Sequence, residues 1–309
     1  MSGTANNIEK AKIFQTNLDL LAEQTLKTGF MDSNIAGIKY TGGDEVKIPK
    51  MDTDGQANYD RSSGYEDGAV NLEYQTLSMK QDRGRRFNLD AMEVDEAAFI
   101  PTASRVMGEF QRTKVVPEID AYRISKLATY ALGVDGDTQV KYGYTVDENI
   151  IKEIKKGIRV VRENGFDDEI FILATYEAIS AIEEVALGKL QSSTFSQGGI
   201  DTRVPTIDGC PLIAVASNRM YTSIQILDGK TSGQEKGGYK KADDGKNINF
   251  LVVAKSTPIA VTKQDIIRIF DPETNQKANA WAIDYRRFHD LWVLDNRLKT
   301  IYVNVREAK

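Results

Sequence analysis

The sequence has one cysteine and one histidine in 309 residues. A lone cysteine excludes an intramolecular disulfide framework and a thiolate metal cage. A lone histidine, His289, excludes zinc sites built on two histidines and leaves a Ser/His/Asp triad one candidate base. No serine stands in a G-x-S-x-G setting, so a hydrolytic triad is not expected. Long apolar runs are missing: Ile170 to Ala174 and Phe250 to Ala254 are far too short to cross a bilayer. Met1 to Lys12 is polar and holds no apolar stretch of the signal-peptide kind. The expected setting is a reducing cytoplasm, or exit from it by a route other than secretion. A formal charge of −5 argues against a protein whose main work is gripping nucleic-acid phosphates, while leaving room for one basic face.

What is present is a folded composition, 41% hydrophobic and 28% charged, with length enough for about two domains. The chain is organised around Glu45 to Gly133. A short strand, Glu45 to Pro49, leads into a Gly/Asp/Tyr-rich tip over Met51 to Ala69 that carries Tyr59 and Tyr65. A return strand begins at Val70, where Val70, Leu72 and Tyr74 alternate with Asn71, Glu73 and Gln75. The apolar phase then slips to Leu77 and Met79, which a bulge would explain. An isolated hairpin is marginally stable unless something covers it, so the expectation is an arm that reaches a neighbour. Apolar residues at helical spacing follow, from Phe99 through Phe110 and from Ile119 to Ala131. Pro101 is tolerated near the start, Gly133 marks the stop, and Pro117 predicts a kink or short break. A helix of this length spans roughly 50 Å, the reach of a strut.

Ahead of this stretch, Ile13, Leu18, Leu20, Leu21 and Leu26 predict an amphipathic arm. Beyond it, Thr145 with Glu148 matches a capping box for a helix through Ile150, Ile154, Ile158 and Val161 that ends at Asn164-Gly165. A buried strand over 170–174 and a helix from Tyr176 to Gly188 come next. Residues 189–208 read as a polar loop, and 228–246 as a long exposed loop or flexible insertion. Strands are expected over 212–216, 224–227, 248–254, 259–261, 266–270, 280–294 and 301–305. The fold class is therefore α+β.

Few residues carry chemistry. His289 reads as structural, and Cys210, with nothing basic flanking it in sequence, as a small buried hydrophobe. Gly229-Lys230-Thr231 mimics the end of a phosphate loop but lacks its first glycine and following helix. Asp52-Thr53-Asp54-Gly55 opens like a calcium loop without the closing ligands. No cofactor or metal is expected. The basic cluster Lys80, Arg83, Arg85, Arg86 has two readings: a solvated strand end, or ion pairing across a subunit contact with Asp90, Glu93, Asp95 and Glu96 of another copy.

The combination resembles one family, the major capsid proteins of tailed bacteriophages, whose fold is shared with encapsulin compartments. The resemblance rests on Val46-Lys47-Ile48-Pro49, Tyr59-Asp60-Arg61, Gly64-Tyr65, Gly68, Asp82 through Phe87, Asp90, Asp95-Glu96, and Val116-Pro117-Glu118-Ile119-Asp120-Ala121-Tyr122. It implies an N-terminal arm (1–40), an extended β-hairpin loop (41–92), a spine helix and linker (93–147), an α/β axial domain (148–255) and peripheral-domain strands (256–309). It implies intersubunit contacts at Tyr59, Arg61, Tyr65, Arg83, Arg85, Arg86, Asp95 and Glu96. It further implies hexamers and pentamers in an icosahedral shell around double-stranded DNA, assembled in the host bacterial cytoplasm, without sequence-specific DNA binding and without a membrane. A separate scaffolding protein is expected, since no long helical extension precedes Ile13, along with a portal and decoration proteins. The alternatives are an encapsulin-type shell around protein cargo, and a cytoplasmic enzyme using 148–255.

Overall fold

The computed structural model describes residues 26–35, 39–40, 45–59, 61–62, 64–90, 99–134, 136, 138–165, 169–186, 191–197, 200–275 and 279–309. The expected arm over Ile13 to Leu21, and Glu93, Asp95 and Glu96, lie outside them. In chain order come β1 (Lys39–Tyr40), β2 (Glu45–Thr53), β3 (Val70–Ser78) and β4 (Gln81–Asp90). Helix α1 (Phe99–Phe110) runs through a π-helical segment (Gln111–Val115) into α2 (Val116–Leu132). Then come β5 (Val140–Lys141), α3 (Ile150–Glu163), β6 (Ile170–Thr175), α4 (Tyr176–Ala186), β7 (Gln191–Gln197), β8 (Ile200–Ile207) and β9 (Cys210–Val215). The chain closes with β10 (Ile224–Leu227), β11 (Gly238–Lys241), β12 (Ile248–Ala254), β13 (Pro258–Phe270), β14 (Ala280–Val293) and β15 (Ile301–Val305).

The body is a seven-stranded mixed sheet in the order β5-β15-β12-β6-β9-β8-β7. Its central strands β6 and β12 are buried along their whole length, which is why they read as unbroken apolar runs rather than alternating ones. Phe171, Leu173, Leu251 and Val253 face one side and pack on Ile124, Leu127 and Ala131 of α2. Ile172, Ala174, Phe250 and Val252 face the other side and pack on Ile150, Ile154 and Ile158 of α3 and Ile182 of α4. Helix α3 lies so close that a Cβ at Gly157 would stand 2.7 Å from the Tyr302 ring, so only glycine fits there. The expected capping box does not form. The helix begins after Asn149, and the Asp147 carboxylate accepts from the Asn149 backbone N–H at 2.9 Å and the Tyr144 hydroxyl at 2.6 Å.

A second sheet, β13-β14-β4, packs Ile283 and Tyr285 against Met107 and Phe110 of α1. The phase slip at Leu77–Met79 is not a bulge, since the β2–β3 ladder is regular through Ser78; Leu77 and Met79 both pack against the apolar cluster at the hairpin root. β3 ends at Ser78 in the hairpin ladder, Met79 is buried beside Ile259, Phe288 and Trp292, and β4 pairs with β14. β15 joins the seven-stranded sheet, so the segment 256–309 divides between two sheets.

Pro117 produces a local widening of the helix. A proline has no N–H to donate and its ring crowds the carbonyl four residues back. The π turn over Gln111–Val115 meets both constraints, and the Val116 N–H reaches the Gln111 carbonyl, five residues back. Two expected loops contain strands. Gln191–Gln197 and Ile200–Ile207 pair as β7 and β8 at the edge of the sheet, where backbone pairing needs no apolar pattern. Within the expected loop 228–246, Gly238–Lys241 forms β11 and pairs with the expected strand Ile224–Leu227 as the β10–β11 hairpin. Its 228–237 loop is pinned from within: Asp228 accepts from the Lys230 and Thr231 N–H groups, and the Gln234 side chain accepts from the Asp228 N–H.

Candidate assembly surfaces

The hairpin β2–β3 is paired from Glu45↔Ser78 to Thr53↔Val70, and among the described residues no element covers the outer part of β3. Val70, Leu72 and Tyr74 are 66%, 57% and 62% exposed. At the tip the Tyr59 and Tyr65 rings meet at 4.9 Å and stay exposed, and Arg61 is exposed beside them. The calcium-like residue Asp54 closes the tip by accepting from the Ala69 N–H at 2.7 Å. Five large or apolar side chains held in water on one arm are costly for a solitary chain and mark an interaction surface.

The arginine cluster takes three different situations. Arg83 makes a two-pronged pair with Glu118 on α2, Nε to Oε1 at 2.7 Å, and also donates to the Leu227 carbonyl at 2.9 Å. Arg86 forks onto Asp284 of β14, Nη2 to Oδ2 at 2.6 Å. Both charges are thus occupied within the chain. Among the described residues Arg85 donates to a backbone carbonyl, that of Glu235, at 3.2 Å, and pairs with no carboxylate.

Arg83 and Arg85 border a cleft of about 1090 Å³ between β4, the π segment and the β10–β11 hairpin. His289 stands on its floor. Burial, then the nearby Arg287, Arg123 and Lys126, push its pKa well below the ordinary value, so it is neutral, as a core histidine is. Cys210 is also buried. Burial raises its thiol pKa even though Arg162 lies 3.8 Å away, which leaves a thiol rather than a thiolate nucleophile. In Gly229-Lys230-Thr231 the backbone N–H groups of Lys230 and Thr231 are taken up by Asp228, whose pKa is held down to about 2 by the Thr231 hydroxyl first and then by those two backbone bonds. No phosphate cradle remains there.

Two buried ionic clusters escaped the sequence reading. Asp120 of α2 accepts from the Thr28 backbone and hydroxyl and pairs with Arg219 at 2.9 Å. Arg123, one turn on, donates to the Thr28 carbonyl and forks onto Asp32. Asp290 of β14 accepts from the Tyr122 hydroxyl at 2.7 Å, from Lys126, and from the Lys80 backbone N–H at 2.9 Å. Charges on a helix read as a solvated face; only the fold puts Thr28 and Asp290 beside them. Among the described residues, no group of three or more His, Cys, Asp or Glu could hold a metal ion.

No known sequence family matches the chain, and no curated protein sequence does. Solved structures do match. A chain of the mature capsid of bacteriophage PhiM1 aligns with a TM-score of 0.55 at 12% identity, over 86% of this chain and 82% of that one. The capsid of cyanophage P-SCSP1u gives 0.53 at 10% identity, over 86% and 84%. The holo-SrpI encapsulin complex from Synechococcus elongatus PCC 7942 gives 0.51 at 11% identity, over 87% and 84%. Hairpin, spine helix, α/β body and second sheet in this order make the chain an α+β protein with the fold of tailed-phage major capsid proteins and encapsulins.

Proposed function

We propose that the chain is the subunit of a closed protein shell, assembling through hexamers and pentamers into the icosahedral head that encloses the double-stranded DNA of a tailed bacteriophage. The observation that carries this reading is the projecting hairpin, whose Tyr59, Tyr65, Val70, Leu72 and Tyr74 are exposed in the single chain. Many weak contacts per copy add into a strong lattice when each copy is held at several places at once. The hairpin of 41–92 lies over a neighbour, 93–147 forms the spine, and 148–255 forms the axial domain whose tips meet at the centres of hexamers and pentamers. Within 256–309, β13 and β14 serve the peripheral domain. The contact residues are Tyr59, Arg61, Tyr65 and Arg85, with Arg83 and Arg86 shaping the surface through Glu118 and Asp284, and with Asp95 and Glu96 on the neighbouring copy. The role is structural rather than catalytic. A separate scaffolding protein, a portal and decoration proteins complete the particle. Assembly takes place in the host bacterial cytoplasm, and the net acidic charge suits an inner surface that does not stick to DNA.

The likeness to the SrpI encapsulin supports a second reading, a compartment around protein cargo. Light scattering and negative-stain electron microscopy of the purified protein, with and without a co-expressed scaffold, test both. Closed shells tens of nanometres across are expected, and a clean monomer or dimer under every condition overturns the proposal. Nuclease treatment of the contents separates virus from compartment. Deleting residues 51–69 is expected to leave a soluble subunit without stable shells; normal shells from it would remove the hairpin's role.

A further inference from the structure

The cleft between β4, the π segment and the β10–β11 hairpin gathers positive charge in a protein of formal charge −5. Seven lysine and arginine side chains line it against three carboxylates. All three carboxylates are committed. Glu118 holds Arg83, Asp228 takes the Lys230 and Thr231 N–H groups, and Glu235 accepts from the Gly233 N–H at 3.0 Å. Arg287 and Lys241 are matched by Asp265 and Glu307. Lys114 of the π segment, Lys236 of the 228–237 loop and Lys240 of β11 are exposed, and they pair with no carboxylate among the described residues. Three cations thus converge on one concavity with nothing in the described chain to balance them.

The floor supplies what an open basic patch lacks. His289 is 4% exposed, and its Nδ1 has no hydrogen-bond partner among the described residues. A buried polar atom left unpaired costs free energy, so an occupant that hydrogen-bonds this nitrogen gains what the chain alone forgoes. The partly buried rings of Phe87, Phe110 and Tyr239 stand on the walls. A volume of about 1090 Å³ lies at the upper end of the roughly 300–1,000 Å³ of small-molecule sites. We propose that the cleft is a binding site for a small, multiply phosphorylated molecule. Its phosphate oxygens accept from Lys114, Lys236 and Lys240, and the His289 ring hydrogen-bonds the part that reaches the floor. The aromatic walls take a planar group where the molecule carries one. Inorganic polyphosphates and nucleoside polyphosphates share this chemistry and differ in that planar group. A nucleic-acid duplex or an acidic protein segment is served by an open basic face and leaves the floor unused.

Calorimetric titration of the purified full chain with ATP and with inorganic tripolyphosphate tests this, at low ionic strength, where exposed charges are least screened. Both anions are expected to bind at a single site. Lys114→Ala/Lys236→Ala is expected to weaken both by about tenfold or more while the urea unfolding midpoint stays where it was. Arg83 and Arg85 are left intact, so a lost subunit contact does not imitate lost binding. The sole histidine provides a second measurement. Solid-state NMR of protein labelled only at histidine reads free and assembled chains alike, and either anion is expected to displace the His289 ring signals. Tighter binding of ATP than of tripolyphosphate assigns the walls to a base, and equal binding assigns the site to the phosphates alone; both support the proposal. No binding, binding that the double variant leaves unchanged, or an unmoved histidine signal overturns it. So does a DNA oligonucleotide or an acidic peptide that binds where both small anions fail. The shell reading stands or falls on microscopy of the wild-type chain, whatever the titrations give.

Discussion

Strands β12 and β3 are of similar length and both carry valine, leucine and aromatic residues, yet every residue of β12 is buried while β3 is exposed along most of its length. β12 has a neighbouring strand on each side and helices over both faces, so its apolar side chains stabilise the subunit. Among the described residues β3 has one neighbouring strand and nothing over its outer part, so Val70, Leu72 and Tyr74 contribute little until another surface arrives. The same side-chain chemistry serves folding in one place and association in the other.

The comparison is broken most severely in the body. Phe250→Ala empties a site buried between β12, α3 and α4, and is expected to lower subunit stability by about 3–5 kcal/mol in urea unfolding, with assembly lost only as a consequence. A loss below about 1 kcal/mol would show that the sheet collapses around the gap.

Intermediate in size is a pH effect at His289. Its folded-state pKa is depressed by burial and by the surrounding cations, so between the folded and unfolded values the unfolded chain binds one more proton. Stability is then full above about pH 6.5, the ordinary histidine value, and falls with a slope of about 1.4 kcal/mol per pH unit as pH drops below it. His289→Gln removes that slope between pH 6.5 and 5. Parallel stability curves for the two proteins would mean that the histidine titrates freely.

The smallest effect on the subunit belongs to the hairpin. Leu72→Asn is expected to change unfolding free energy by no more than about 0.5 kcal/mol, since the side chain is already in water. Shell yield should nevertheless fall. A stable subunit with undiminished assembly would place β3 outside the contact.

The sequence made some elements legible and hid others for definite reasons. α3, β6 and β12 announce themselves because burial selects side chains at a fixed spacing, every third or fourth residue on the helix and every residue in the doubly covered strands. The hairpin was legible from alternation and from the glycines and aspartates of its tip. β7 and β8 were not, because an edge hairpin is held by backbone pairs that leave no apolar pattern. The π turn showed only through Pro117, which marks a disturbance without saying what form it takes. The cleft was invisible, since Arg85, Lys114 and Lys236 approach one another only when β4, the spine and the β10–β11 hairpin meet.

The root of the hairpin has a mechanical consequence. Two residues, Met79 and Lys80, separate the exposed ladder from β4. One is wedged among Ile259, Phe288 and Trp292, and the other donates its N–H to Asp290, which also holds Tyr122 and Lys126 of the spine. The arm is therefore a lever with a stiff fulcrum. A pull applied at Tyr65 is not dissipated in a slack joint, but arrives as torque on the spine helix some 30 Å away, nine strand residues distant.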